Sequence, residues 1–73
     1  MRLFVEDYKS GYVDVIDNVD RVSIEKYEKK NSLFVYCNEK DYATEIIPLN
    51  EIKLAFMVDV RGKHTKEYFR YEK

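Results

Sequence analysis

The stretch SLFVYCNEKDYATEIIPLNEIKLAFMVDV, residues 32–60, decides the fold. Within it Leu54, Phe56, Val58 and Val60 alternate with Ala55, Met57 and Asp59, the period of two that sends successive side chains to opposite faces of a strand. The spacing predicts a strand over residues 54–60 whose apolar face is Leu54, Phe56, Val58 and Val60. Residues 33–37 and 44–48 read as two more short strands, separated by the polar run 38–41. Together these three strands supply half of a core.

Working outward, residues 2–7 form a strand candidate. Lys9, Ser10 and Gly11 offer hairpin turn chemistry, and residues 12–16 return as a second strand. Asp17, Asn18, Val19 and Asp20 read as a polar turn. Val22 and Ile24 then alternate with Ser23 and Glu25 in a third strand, which residues 28–31 break. After Val60, Arg61 and Gly62 mark a turn, and residues 65–71 suit a seventh strand or a short terminal helix, with their aromatic density favouring the strand.

Residues 3–27 set against residues 33–57 match at a fixed spacing. Leu3, Phe4, Val5, Tyr12 and Ile16 fall on Leu33, Phe34, Val35, Tyr42 and Ile46, and Val19, Val22 and Ile24 fall on Leu49, Ile52 and Leu54. Such spacing marks a supersecondary unit that cannot bury its apolar face alone. Two unrelated meanders of similar length would give the same pattern, and both readings stand at this stage. Pro48 cannot donate to a ladder and belongs at a strand end.

The chain has 73 residues, one domain by length, and a domain this small buries only about 60% of the surface its unfolded form exposes. Disulfides, metals or oligomerisation commonly add stability at this size. Cys37 is the only cysteine, which excludes an internal disulfide and a thiolate-rich zinc site and fits a reducing compartment. A homodimer is left open. A hydrophobic share of 45% and a charged share of 37% support a folded domain over a disordered one. No apolar run approaches the length of a membrane helix, and the first residues lack the pattern of a signal peptide, so a cytoplasmic location is expected. Charge is uneven. Residues 1–20 carry two basic against five acidic residues, and residues 61–73 carry five basic against two acidic.

Catalytic chemistry finds little to work with. His64, the only histidine, sits in the charged run RGKHTK, and nothing in the sequence places it near Cys37. Asp14, Asp17 and Asp20 are regularly spaced but lack the glycine and closing glutamate of a calcium loop, and no glycine-rich loop is present to cradle a phosphate. No enzyme, metal site or cofactor is expected.

Binding features are more promising. On a strand, His64, Lys66, Tyr68 and Arg70 would share a face that interleaves cations with an aromatic ring, as in small barrels that hold single-stranded nucleic acid. Glu67 and Glu72 lie nearby and the net charge is −1, whereas nucleic-acid binders are commonly strongly basic. Residues 33–37 are apolar on both faces, with Leu33, Val35 and Cys37 on one side and Phe34 and Tyr36 on the other. The second pair is covered within the monomer or lies in a contact surface, where tyrosine is enriched.

The segment IIPLNEI, residues 46–52, turning into a last apolar strand, together with a composition heavy in Lys, Asn, Glu, Asp, Ile and Tyr, resembles small β-rich proteins encoded by phages and prophages of low-GC bacteria. The likeness spans residues 1–60. It implies a protein that binds and blocks or redirects one host protein, such as a nuclease or another defence enzyme.

The expected fold is all-β or mostly β, a small barrel or sandwich of about six to seven short strands. It forms one domain over residues 1–73, with residues 1–30 and 31–60 as candidate repeats and residues 61–73 as a basic strand or short helix. The expected function is a non-enzymatic protein-interaction module, in the manner of a phage-encoded inhibitor, with Phe34, Tyr36, His64, Lys66, Tyr68 and Arg70 as binding residues. The alternative is a small barrel that binds a nucleotide or single-stranded nucleic acid through its basic end.

Overall fold

A computed structural model describes residues 1–72. They form seven strands: β1 Arg2–Asp7, β2 Val13–Ile16, β3 Val19–Tyr27, β4 Lys30–Cys37, β5 Glu45–Pro48, β6 Ile52–Val58 and β7 His64–Arg70. One 3-10 turn, Leu49–Glu51, joins β5 to β6. Every pairing is antiparallel, within a four-stranded sheet ordered β2, β1, β6, β7 and a three-stranded sheet ordered β3, β4, β5. Among the described residues no helix is long and apolar enough to cross a membrane.

The two sheets close on one cluster. Leu3, Val5, Ala55, Met57 and Ile52 from the larger sheet meet Val19, Leu33, Val35 and Cys37 from the smaller one, and Ile16, Val22, Ile47, Leu49, Tyr68 and Phe69 pack around them. Ser32 is the one buried polar residue among those described, and its hydroxyl donates to the Lys30 carbonyl at 3.2 Å. Cys37 is a small apolar filler in this core.

Connectivity is symmetric under exchange of β1, β2, β3 with β4, β5, β6. Each half folds its first two strands as a hairpin in one sheet and sends its third across to the other, where it pairs with the opposite half's first strand. Burial matches at Leu3 and Val5 against Leu33 and Val35, but register does not. Ile16 lies opposite Leu3, but Ile46 lies opposite Phe34, because the two hairpins have connections of unequal length.

Several turns have a visible cause. After β1, the Asp7 carboxylate accepts from the Ser10 backbone N–H at 2.7 Å, the Ser10 hydroxyl at 2.8 Å and the Lys9 N–H at 3.1 Å, and Gly11 takes the positive φ of 76° that the return needs. Those bonds, the backbone bond from Ser10 foremost, hold the Asp7 carboxyl below its ordinary value of 3.8. Between β6 and β7 the Asp59 carboxylate accepts from the N–H groups of Arg61 and Lys63.

The structure corrects three sequence expectations. Val19 is no turn residue; it opens β3 and is buried. The break expected over 28–31 narrows to Glu28 and Lys29, both at positive φ, with Lys30 and Asn31 already in β4. Most consequentially, β6 faces the core with its other side. Ala55 and Met57 are 0% and 2% exposed, while Leu54, Phe56 and Val58 are half-buried on the outside and Val60 is 92% exposed beyond the strand. Ala55 and Met57 lie opposite Val5 and Leu3, whose branched side chains already occupy the interior, and small or flexible residues fit against them.

Met57→Ala is expected to lower stability by about 2–5 kcal/mol, against a change within about 0.5 kcal/mol for Val60→Ala. Urea denaturation of both variants checks this. The opposite ranking would mean that β6 faces the other way.

Candidate functional site

The outer face of the four-stranded sheet carries the most organised surface on the molecule. Register places three rows of side chains across it. Arg2, Val58 and His64 form one, Val15, Phe4, Phe56 and Glu67 the next, and Val13, Glu6, Leu54 and Arg70 the third. Directly opposed residues on an antiparallel pair share a face, so the six apolar members form one patch. Val13 and Val15 are 53% and 48% exposed. The Phe4 and Phe56 rings stack with centroids 5.3 Å apart and planes 7° from parallel, and the His64 ring lies 4.8 Å from Phe56.

Ion pairs border the patch. Arg2 meets Asp17 at 2.8 Å, Lys53 meets Glu6 at 3.7 Å, and Arg70 meets Glu67 at 2.7 Å. The Arg70 guanidinium donates to both Glu67 oxygens. Those bonds chiefly hold the Glu67 carboxyl below its ordinary value of 4.5, with the neighbouring positive charges of Arg70 and His64 adding to the effect. The pairs lie at the surface, with Glu6 alone half-buried, and contribute little stability. Their effect is to leave a rim whose charges are compensated around an apolar centre.

At the Arg2 end of the patch lies an open cleft of about 630 Å³ between the β2–β3 corner and the β6–β7 hairpin, walled by Arg2, Phe4, Asp17, Val58, Asp59 and Val60. Its carboxylates are each engaged through one oxygen, Asp17 by Arg2 and Asp59 by the N–H groups of its own hairpin.

The residues expected to bind fall in three places. Phe34 and Tyr36 lie half-buried on the outer face of the smaller sheet. There the Arg21 guanidinium sits 3.8 Å over the Tyr36 ring, and Tyr27 meets Phe34 edge-on at 6.1 Å. His64 and Arg70 belong to the patch described above. Lys66 and Tyr68 do not join them. Two register shifts in β7, which leave Thr65 and Tyr68 without partners in β6, break the alternation. Tyr68 packs against the core with the Lys66 ammonium 5.0 Å from its ring. The single face expected for His64, Lys66, Tyr68 and Arg70 is therefore divided.

Phe4, Val13, Val15 and Phe56 escaped the sequence reading as surface residues. The alternation over residues 54–60 sends Phe56 inward, and Val13 and Val15 gain meaning only once the hairpin register sets Val15 beside Phe4. Cys37 is in the core and His64 on the outer face, which separates the only thiol from the only imidazole. Among the described residues no group of three or more His, Cys, Asp or Glu side chains could hold a metal ion, and the Asp20 carboxylate accepts from the Glu39 N–H instead. Comparison of the chain with protein-family models, with characterised proteins and with solved structures finds no match.

Because the Glu67 carboxyl is depressed in the folded state, its pairing with Arg70 contributes above the unfolded carboxylate's pKa and is lost as pH falls through the folded one. A carboxyl NMR titration is expected to place the Glu67 midpoint below 4.5, and Arg70→Ala to raise it. Equal midpoints in the two proteins would exclude the pair from solution.

Proposed function

We propose that the chain is a non-enzymatic protein-interaction module that meets its partner through the outer face of the four-stranded sheet. The observation that carries this reading is the stacked Phe4 and Phe56 pair flanked by exposed Val13 and Val15 inside a ring of mutually compensated charges. An apolar, aromatic centre within a polar rim is the anatomy of a protein contact, and buried aromatic anchors supply most of the energy of such contacts. A partner for this face needs an apolar patch of its own and no strong net charge. The resemblance to phage products adds a class of candidate, a bacterial host enzyme such as a nuclease, which this chain would bind and block.

A single-strand binding platform needs free cations beside its stacking rings. Here Arg2 and Arg70, the two arginines in the rows that flank Phe4 and Phe56, are held by Asp17 and Glu67. That arrangement favours the protein reading.

Affinity capture from a bacterial lysate with the immobilised chain, followed by mass spectrometry, is expected to recover a defined protein. Val15→Lys, which leaves the core untouched, is expected to weaken that partner's binding about tenfold or more. Equal capture by wild type and Val15→Lys would remove the outer face as the contact. Salt-sensitive binding of an oligonucleotide, with no protein recovered, would favour the alternative.

A further inference from the structure

We infer that two copies of this chain associate edge to edge through β3, antiparallel, about a twofold axis at Ser23. This does not rest on the proposed partner face, which belongs to the other sheet.

Strand β3 is a sheet edge, paired only with β4. It is nine residues long, against four each for the edges β2 and β5, and its register with β4 runs unbroken from Arg21 to Tyr27. The fourth edge, β7, is twice interrupted. The direction of the free backbone groups follows from β4. The Val35 carbonyl accepts from the Thr44 N–H at 2.8 Å and from its hydroxyl at 3.1 Å, so it points away from β3. Opposed antiparallel residues exchange both backbone bonds or neither. Val22, opposite Val35, thus directs its own N–H and C=O outward, and alternation extends this to Ile24 and Lys26. An uncovered row of this kind is a template for another strand.

The sequence of the edge says which strand fits. Residues 20–26 read Asp, Arg, Val, Ser, Ile, Glu, Lys. Reversed against itself about Ser23, Arg21 falls opposite Glu25 of the partner subunit, Val22 opposite Ile24 of the partner subunit, and Ser23 opposite its own copy. The backbone parity agrees, because Val22 and Ile24 are the residues whose groups point outward and would exchange bonds. Neither neighbouring antiparallel register does as well, since a two-residue shift puts Arg21 opposite Ser23 or Tyr27. Asp20 would fall opposite Lys26 but stands in a bulge, its carboxylate bound to the Glu39 N–H, so the match rests on residues 21–25.

Two further observations agree. Among the described residues neither Arg21 nor Glu25 has an ionic partner. Ile24, opposite the fully buried Leu33 on the core-facing side, is 46% exposed because no strand lies beyond it, and Val22 of the partner subunit would cover it. The product is a continuous six-stranded sheet with both larger sheets on one side and both partner faces free.

Sedimentation velocity across a dilution series reaching millimolar chain is the test. Wild type is expected to show twice the 8.8 kDa chain mass at the upper end. Glu25→Arg sets like charges opposite each other twice and is expected to weaken association about tenfold, with Arg21→Glu added to Glu25→Arg restoring it. Ile24→Pro removes an N–H the monomer does not use and is expected to abolish the dimer while amide chemical-shift dispersion persists; if that variant unfolds, the charge-reversal pair decides. A monomer at every concentration overturns the inference. So does association that Glu25→Arg leaves unchanged, or that Val15→Lys dissolves in its place.

Discussion

Two sheets of this size enclose one layer of side chains, and that limit governs the rest of the molecule. The enclosed layer is built from β1 and β6 on one side and β4 on the other, closed at its margin by Val19. Among the described residues no element is laid over the outer face of either sheet. Apolar side chains beyond those the single layer accepts must stand on an outer face. The surface that carries the proposed function follows from the same limit that makes the core small.

β6 shows how the choice between faces is made. Leu54, Phe56 and Val58 are the more apolar set by size, yet the core takes Ala55 and Met57. The interior opposite them is already supplied with Leu3, Val5, Leu33 and Val35, all buried, and packing density rather than hydrophobicity selects what fits. The larger residues then go outward, where Phe56 recovers part of its burial by stacking on Phe4. The outer patch is thus coupled to the core through β1 and β6, each of which carries core residues on one face and patch residues on the other.

Much of the fold was legible from residue order. Alternation and turn chemistry located the first six strands, β1 to the residue, while β7 was read from aromatic density as a strand or short helix; Lys9, Ser10, Gly11 and Pro48 marked turns and a strand end for reasons of backbone chemistry. Leu33, Val35 and Cys37 read correctly as a core face. What could not be read was the facing of β6, because a period of two in a strand apolar on both sides names two faces without saying which is covered. The bulges of β7 were equally silent. They depend on how β7 accommodates β6, and they divide Lys66 and Tyr68 from His64 and Arg70. The outer patch is assembled from three strands through two registers, so it became visible only with the pairing known.

The central claim is that Ala55 and Met57 look into a shared core while Phe4 and Phe56 look out of it. A soluble gadolinium chelate added to isotopically labelled protein tests this directly, through the relaxation of side-chain signals. Strong enhancement is predicted at Phe56, Phe4 and Val15, with Leu3, Ala55, Met57 and Leu33 protected. Enhancement at Ala55 and Met57 matching that at Phe56 would contradict the account.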